Sequence, residues 1–187
     1  MAENTISTSL QLQTLKGKIG WICHAIRWLV IFWLAWVLYL IVEPLWDLPH
    51  WVDQLNTSPA LANAPVTIQT AMTSRLVILV DWLCATTIGI AAWRLTSTYL
   101  RGEIFSEHAA QRLRRLGQAA LLATVADIVL RPVFQYLLSP ALLIGKSPLA
   151  FFLPQDLLYL LISGFILSLA HIFRVAAEIN AENKSFI

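Results

Sequence analysis

Asp127 and Arg131 stand four residues apart in an otherwise apolar stretch spanning residues 117–138. On a helix that spacing brings two side chains together on one face. Each charge alone costs about 2.5–3.5 kcal/mol in hydrocarbon on insertion scales, so an acid and a base placed together must compensate one another. Asp81 lies in a second apolar stretch, 76–96, at a similar depth counted from Arg75. An Asp81–Arg131–Asp127 triad therefore fits two antiparallel helices. Such a cluster has two readings. It is a fixed clamp between helices, because a guanidinium takes carboxylates bidentately. Alternatively it lines a ligand pocket or a moving element. The clamp is the favoured reading; the second would use the kink at Pro132, which removes the backbone hydrogen bond that would satisfy the Ile128 carbonyl. Asp156 has a milder explanation: it opens the last apolar stretch, where a carboxylate favours a helix N-terminus.

His24 and His171 are expected near the same end of the first and last apolar stretches, and two histidines at one level can hold a haem or a metal. With no further ligands, hydrogen-bonded interfacial histidines are the favoured reading, and no metal or cofactor is expected. His50 and His108 fall in loops on opposite sides, which excludes a four-histidine site. Arg27 is placed to reach the headgroups from inside the first helix. No H-E-x-x-H, G-x-S-x-G, phosphate-loop or dinucleotide fingerprint occurs. Nothing points to an enzyme.

The elements that must position these groups are membrane-spanning helices. Of the 187 residues, 58% are hydrophobic and 13% charged, against about 25% charged in soluble domains. A helix needs roughly 20 apolar residues to cross about 30 Å of hydrocarbon. Four stretches meet this, at about 20–42, 76–96, 117–138 and 155–173. Backbone groups in lipid must pair within their own segment, so each is helical. The expected fold is an all-α membrane protein, a short bundle of four transmembrane helices in one domain from residue 20 to 187. A polar lead-in, 1–19, precedes it. The first stretch is too long for a signal-peptide core, and Val42-Glu43-Pro44 is a poor cleavage site, so it is read as a retained helix.

Lysine and arginine placement gives the orientation. Lys16, Lys18, Arg94, Arg101, Arg112, Arg114, Arg115, Arg174 and Lys184 fall on one side, Arg75 and Lys146 on the other. The positive-inside rule puts both termini and the middle loop in the cytoplasm, N-in and C-in. This basic face is a topology signal that can touch anionic headgroups. It is not read as a nucleic-acid site. Depth separates Cys23 from Cys84, so no disulfide between them is expected.

Several local signals refine this picture. Trp21, Trp46 and Trp51 suit the two interfaces, whereas Trp28, Trp33 and Trp36 are packing or lipid-facing groups. Glu43-Pro44 is expected to end the first helix. Residues 45–55 suggest a short interfacial helix, and 56–65 a loop. Arg101-Gly102 breaks the second helix, Ser106 caps the third, and Glu107 sits at its positive end. The apolar, proline-punctuated segment 139–154 should dip into the interface or fold over the bundle. Ala85-x-x-x-Gly89, Ala119-x-x-x-Ala123 and Gly164-x-x-x-Ser168 are candidate close-packing seams.

Tyr99-Leu-Arg-Gly-Glu-Ile-Phe-Ser-Glu, followed by Arg112-Leu-Arg-Arg-Leu-Gly117, resembles the middle loop of a bacterial membrane family, domain of unknown function 2975. The closing run from Leu161 through Leu169-Ala-His-Ile-Phe-Arg174 is similar to that family's last segment, although Ala176 and Ala177 stand where the family often has glycine. The resemblance implies a four-helix inner-membrane protein, often encoded beside a small helix-turn-helix regulator, with no established activity. The expected function is that of a non-enzymatic membrane regulator or sensor. Its cytoplasmic partner would meet Arg101, Gly102, Phe105, Ser106, Arg112, Arg114 and Arg115. A small transporter or channel protomer built around Asp81, Asp127 and Arg131 is the alternative, and a haem carrier on His24 and His171 is third. The lipid bilayer is an expected partner, and a homo-oligomer is compatible with the sequence.

Overall fold

The structure, a computed structural model, describes residues 2–57, 65–102 and 106–185. The described residues are helical, with no strand. Helix α1 spans Ala2–Trp46, α2 Leu48–Asn56, α3 Ile68–Leu100, α4 Glu107–Leu138 and α5 Pro154–Ser185. Four of them are long and apolar enough to cross a membrane: α1 from Gly20, α3, α4, and α5 as far as Ile179. The chain is accordingly a multi-pass membrane protein.

The helices outrun the apolar stretches. The polar lead-in is continuous with the first span as one helix, α1, and Pro44 sits inside α1 rather than ending it. A proline near a helix C-terminus costs one backbone bond to the preceding turn, and α1 stops two residues later. Pro132 is likewise held within an unbroken α4. Side-chain caps set the other starts. Asp47 accepts from the His50 N–H, Thr67 and Thr70 form a reciprocal capping box, and Ser106 accepts from the Ala109 N–H.

The four long helices run antiparallel in chain order. Thr96 and Ser97 meet Arg27, while nearer the other end Trp82 Nε1 donates to the Leu34 carbonyl at 3.1 Å. α3 packs on α4, α4 on α5, and α1 on α3. Among the described residues, α1 and α5 form no packed pair. The bundle is therefore open along one side, between its first and last spans.

Two small cores tie the ends. On the side of the α3–α4 link, Leu95, Leu113 and Ala170 are buried together. On the opposite side, Val52 of α2 packs with Val66, Ala71 and Leu138, and Arg75 lies over the Trp51 ring at 4.1 Å. Asn56 clasps both the N–H and the carbonyl of Val66 at 2.7 and 3.1 Å, which seats α2 against the start of α3. Between these ends, most large side chains face outward: Trp28, Leu29, Phe32 and Trp36 of α1 are all exposed. An apolar surface of this kind is matched to lipid rather than water.

Close helix approach occurs at two glycines. A Cβ on Gly89 would meet Leu34 at 2.9 Å, and one on Gly117 would meet Leu167 at 2.8 Å. Gly89 thus confirms the seam on α3. Gly164 does not form one, since it faces open space. The α4–α5 contact uses Gly117 instead, which the small-residue spacing did not single out. Gly117→Val is expected to lower stability by about 1–3 kcal/mol through overpacking, whereas Gly164→Ala stays within about 1 kcal/mol. Thermal melting in detergent distinguishes the two.

Candidate functional site

Arg131 points from α4 into a four-way contact. Its Nη1 donates to the Phe151 carbonyl at 2.5 Å and to Asp156 Oδ2 at 2.8 Å. Its Nη2 donates to Asp156 Oδ1 at 3.0 Å and to Asp127 Oδ2. The guanidinium therefore grips Asp156 bidentately, the strongest geometry open to an arginine–carboxylate pair. Asp156 also accepts from the Leu153 N–H at 2.7 Å, one residue before α5 begins. Its side chain is 0% exposed, Arg131 17% and Asp127 41%. This gradient makes Asp156 the structural half of the cluster and Asp127 the accessible half.

The triad expected from the sequence is thus corrected in one member. Asp127 and Arg131 do meet, but the second carboxylate is Asp156 rather than Asp81. The cause is the segment before α5. Pro140–Leu143 and Pro148–Phe151 form short 3-10 turns, and the Phe151 carbonyl and Leu153 N–H both reach the cluster. α5 consequently starts level with Arg131 rather than at the far rim. The unusual apolarity of 139–154 was the available signal, because a connection that avoids water delivers the next helix below the surface.

Asp81 remains near the cluster without joining it. Among the described residues no hydrogen bond or ion pair to its carboxylate is present. It lines a shallow depression of about 140 Å³ with Asp127, Arg131 and Phe134. It also lines a larger cleft of about 340 Å³ with Asp127, Trp33, Ala85, Ala123 and Tyr159. That cleft is the open side of the bundle, with walls from all four spans and a floor of small residues. The Thr124 and Ser163 hydroxyls along it are already bonded within their helices, to the Ala120 and Tyr159 carbonyls. Asp81 and Asp127 are its carboxylates.

At the other end, Arg27 does not reach for headgroups. Its guanidinium crosses to α3, donating to Thr96 at 3.0 Å and Ser97 at 2.6 Å, and stacks over Trp93 at 4.5 Å. Arg112 donates to the Arg94 carbonyl at 2.6 Å, tying α4 to the end of α3. Arg101 and Gly102 follow α3 as an exposed turn, and Phe105 lies outside the described residues. Arg114 and Arg115 are exposed on α4. A groove of about 620 Å³ between α4 and α5 holds both, with Glu107, Gln111, His171 and Arg174. A second, of about 480 Å³ between α3 and α4, holds Arg94, Arg112 and Arg115.

His24 on α1 and His171 on α5 are exposed and belong to helices that do not pack together. No group of three or more metal-ligating side chains occurs among the described residues. Cys23 and Cys84 are both free.

A family model described as "Protein of unknown function (DUF2975)" matches residues 19–187, and the chain belongs to that family. Neither a curated protein nor a solved structure matches it.

Removing one partner of a buried ion pair strands the other, at a cost of about 3–5 kcal/mol. Asp156→Asn is therefore expected to destabilise the protein markedly more than Asp127→Asn. Melting temperatures of the two variants in one detergent check this order, and equal melting points contradict it.

Proposed function

We propose that this DUF2975 protein is a non-enzymatic regulator or sensor of the bacterial inner membrane, with both termini in the cytoplasm. The observation that supports this reading is the composition of α4. One unbroken helix carries the accessible carboxylate Asp127 and the Arg131 clamp at one end. The same helix carries a capped, arginine-bearing start at the other. Occupation of the open cleft at Asp81 and Asp127 would alter what α4 packs against, and a stiff helix transmits a shift of one end to the other. The readout surface in this proposal is the groove between α4 and α5 together with Arg101 and Gly102. Its mixture of arginines, Glu107, Gln111 and His171 suits a folded, polar protein surface such as the small helix-turn-helix regulator implied by the resemblance.

A second reading, a small transporter, draws support from Asp81. An intramembrane carboxylate facing a cleft is a common element of ion and proton pathways. In that case proteoliposomes holding an entrapped pH dye show proton influx, and Asp81→Asn abolishes it. Wild-type liposomes as tight as empty ones remove this reading.

The sensor reading is tested by co-purification with the helix-turn-helix regulator that the resemblance implies. Wild-type protein retains it, and the Arg114→Glu/Arg174→Glu variant, altered in the groove, loses at least tenfold. Asp127→Asn, at the far end of α4, also changes retention although its melting point stays close to wild type. Retention that is the same in all three proteins contradicts the proposal.

A further inference from the structure

The two grooves beside the start of α4 differ in chemistry. The one toward α5 mixes charges of both signs. The one toward α3 presents three arginines, Arg94, Arg112 and Arg115, and no carboxylate. Three like charges around one space repel one another unless an anion occupies it.

The walls of the α3–α4 groove also change polarity at matched levels. One turn deeper than Arg94 on α3 come Ile90 and Ala91; one turn deeper than Arg115 on α4 comes Ala119. At about 1.5 Å per residue, Arg94 lies roughly 20 Å along α3 from Asp81, and Arg115 roughly 18 Å along α4 from Asp127. Both carboxylates line the same cleft, so the two arginines sit at one depth. Gly117 to Leu138 covers roughly 32 Å, about the hydrocarbon thickness. With the apolar stretch from Gly117 to Leu138 taken as the immersed part of α4, Arg115 falls about 3 Å beyond its edge, at headgroup level.

Arg112 is already fixed, because its guanidinium bonds the Arg94 carbonyl at 2.6 Å. Arg94 and Arg115 are exposed, and among the described residues no ion pair engages either of them. Guanidinium pairs recognise phosphate oxygens bidentately, and basic pockets between membrane helices hold anionic headgroups.

From this placement we infer that the α3–α4 groove is a binding site for an anionic phospholipid. The phosphodiester lies between Arg94 and Arg115, and an acyl chain runs over Ile90, Ala91 and Ala119. Arg112 positions the pair by bracing α4 against α3. Arg115 borders both grooves, whereas Arg94 and Arg112 belong to this one, and the inference does not rest on the proposed sensor role.

Native mass spectrometry of the whole protein in detergent tests the inference, with phosphatidylglycerol and phosphatidylcholine as probes. Wild-type protein is expected to retain phosphatidylglycerol at least tenfold better than phosphatidylcholine. Arg94→Gln/Arg115→Gln loses that preference, whereas Arg174→Gln, which lies in the other groove, keeps it. If the double variant does not fold, Arg94→Gln and Arg115→Gln are measured singly, and each lowers the preference severalfold. Equal retention of the two lipids by wild type overturns the inference, as does a preference that survives both substitutions. Displacement of the lipid by millimolar inorganic phosphate would show a site for free anion and would also overturn it.

Discussion

A single guanidinium organises the half of this protein farthest from the α3–α4 link. Arg131 projects from a span that must be shielded from hydrocarbon, and its charge can be carried only if acceptors surround it. Three of them, the Asp156 carboxylate, the Phe151 carbonyl and the Asp127 carboxylate, come from α4, from the connection and from the first turn of α5. The same contact therefore sets where α5 begins, folds the apolar connection inward and fixes how α4 and α5 align. Gly117, roughly 20 Å along α4, then lets α5 approach closely at the other end.

The remaining architecture follows from what this contact does not reach. α1 is held to α3 by a narrow seam at Gly89, by Trp82 and by the Arg27 crossing. Among the described residues α1 and α5 form no packed pair, and the bundle stays open between them. The opening faces the lipid-accessible side of Asp81 and Asp127. A carboxylate with no counter-charge costs about 2.5–3.5 kcal/mol in hydrocarbon on insertion scales; Arg131 offsets this for Asp127, whereas among the described residues no ion pair offsets it for Asp81. The basic ends of α3, α4 and α5 lie at the opposite face, and each of these helices runs between the two regions without a break.

Much of this was legible in the sequence for physical reasons. The four spans show as apolar length, since a lipid-facing helix has no polar side to hide them. Asp127 with Arg131, the Ser106 cap and the short α2 follow from local spacing and capping chemistry. The partner Asp156 was not legible, because its pairing depends on how far the connection sinks, a tertiary property. The same applies to Gly117, whose neighbour Leu167 is remote in sequence, and to Arg27, whose reach to Thr96 and Ser97 depends on α1 and α3 being antiparallel neighbours. Helix ends were underestimated for a different reason. Apolarity marks only the part of a helix inside hydrocarbon, whereas hydrogen bonding continues it past the membrane surface.

The most direct test is a double-mutant cycle at Arg131 and Asp156, using Arg131→Met and Asp156→Leu with unfolding followed in bilayer-like micelles. If this ion pair is the organising contact, each single variant is strongly destabilised. The double variant then recovers much of the loss, giving a coupling of about 2–3 kcal/mol. Additive losses, with no coupling between the two positions, would contradict the account.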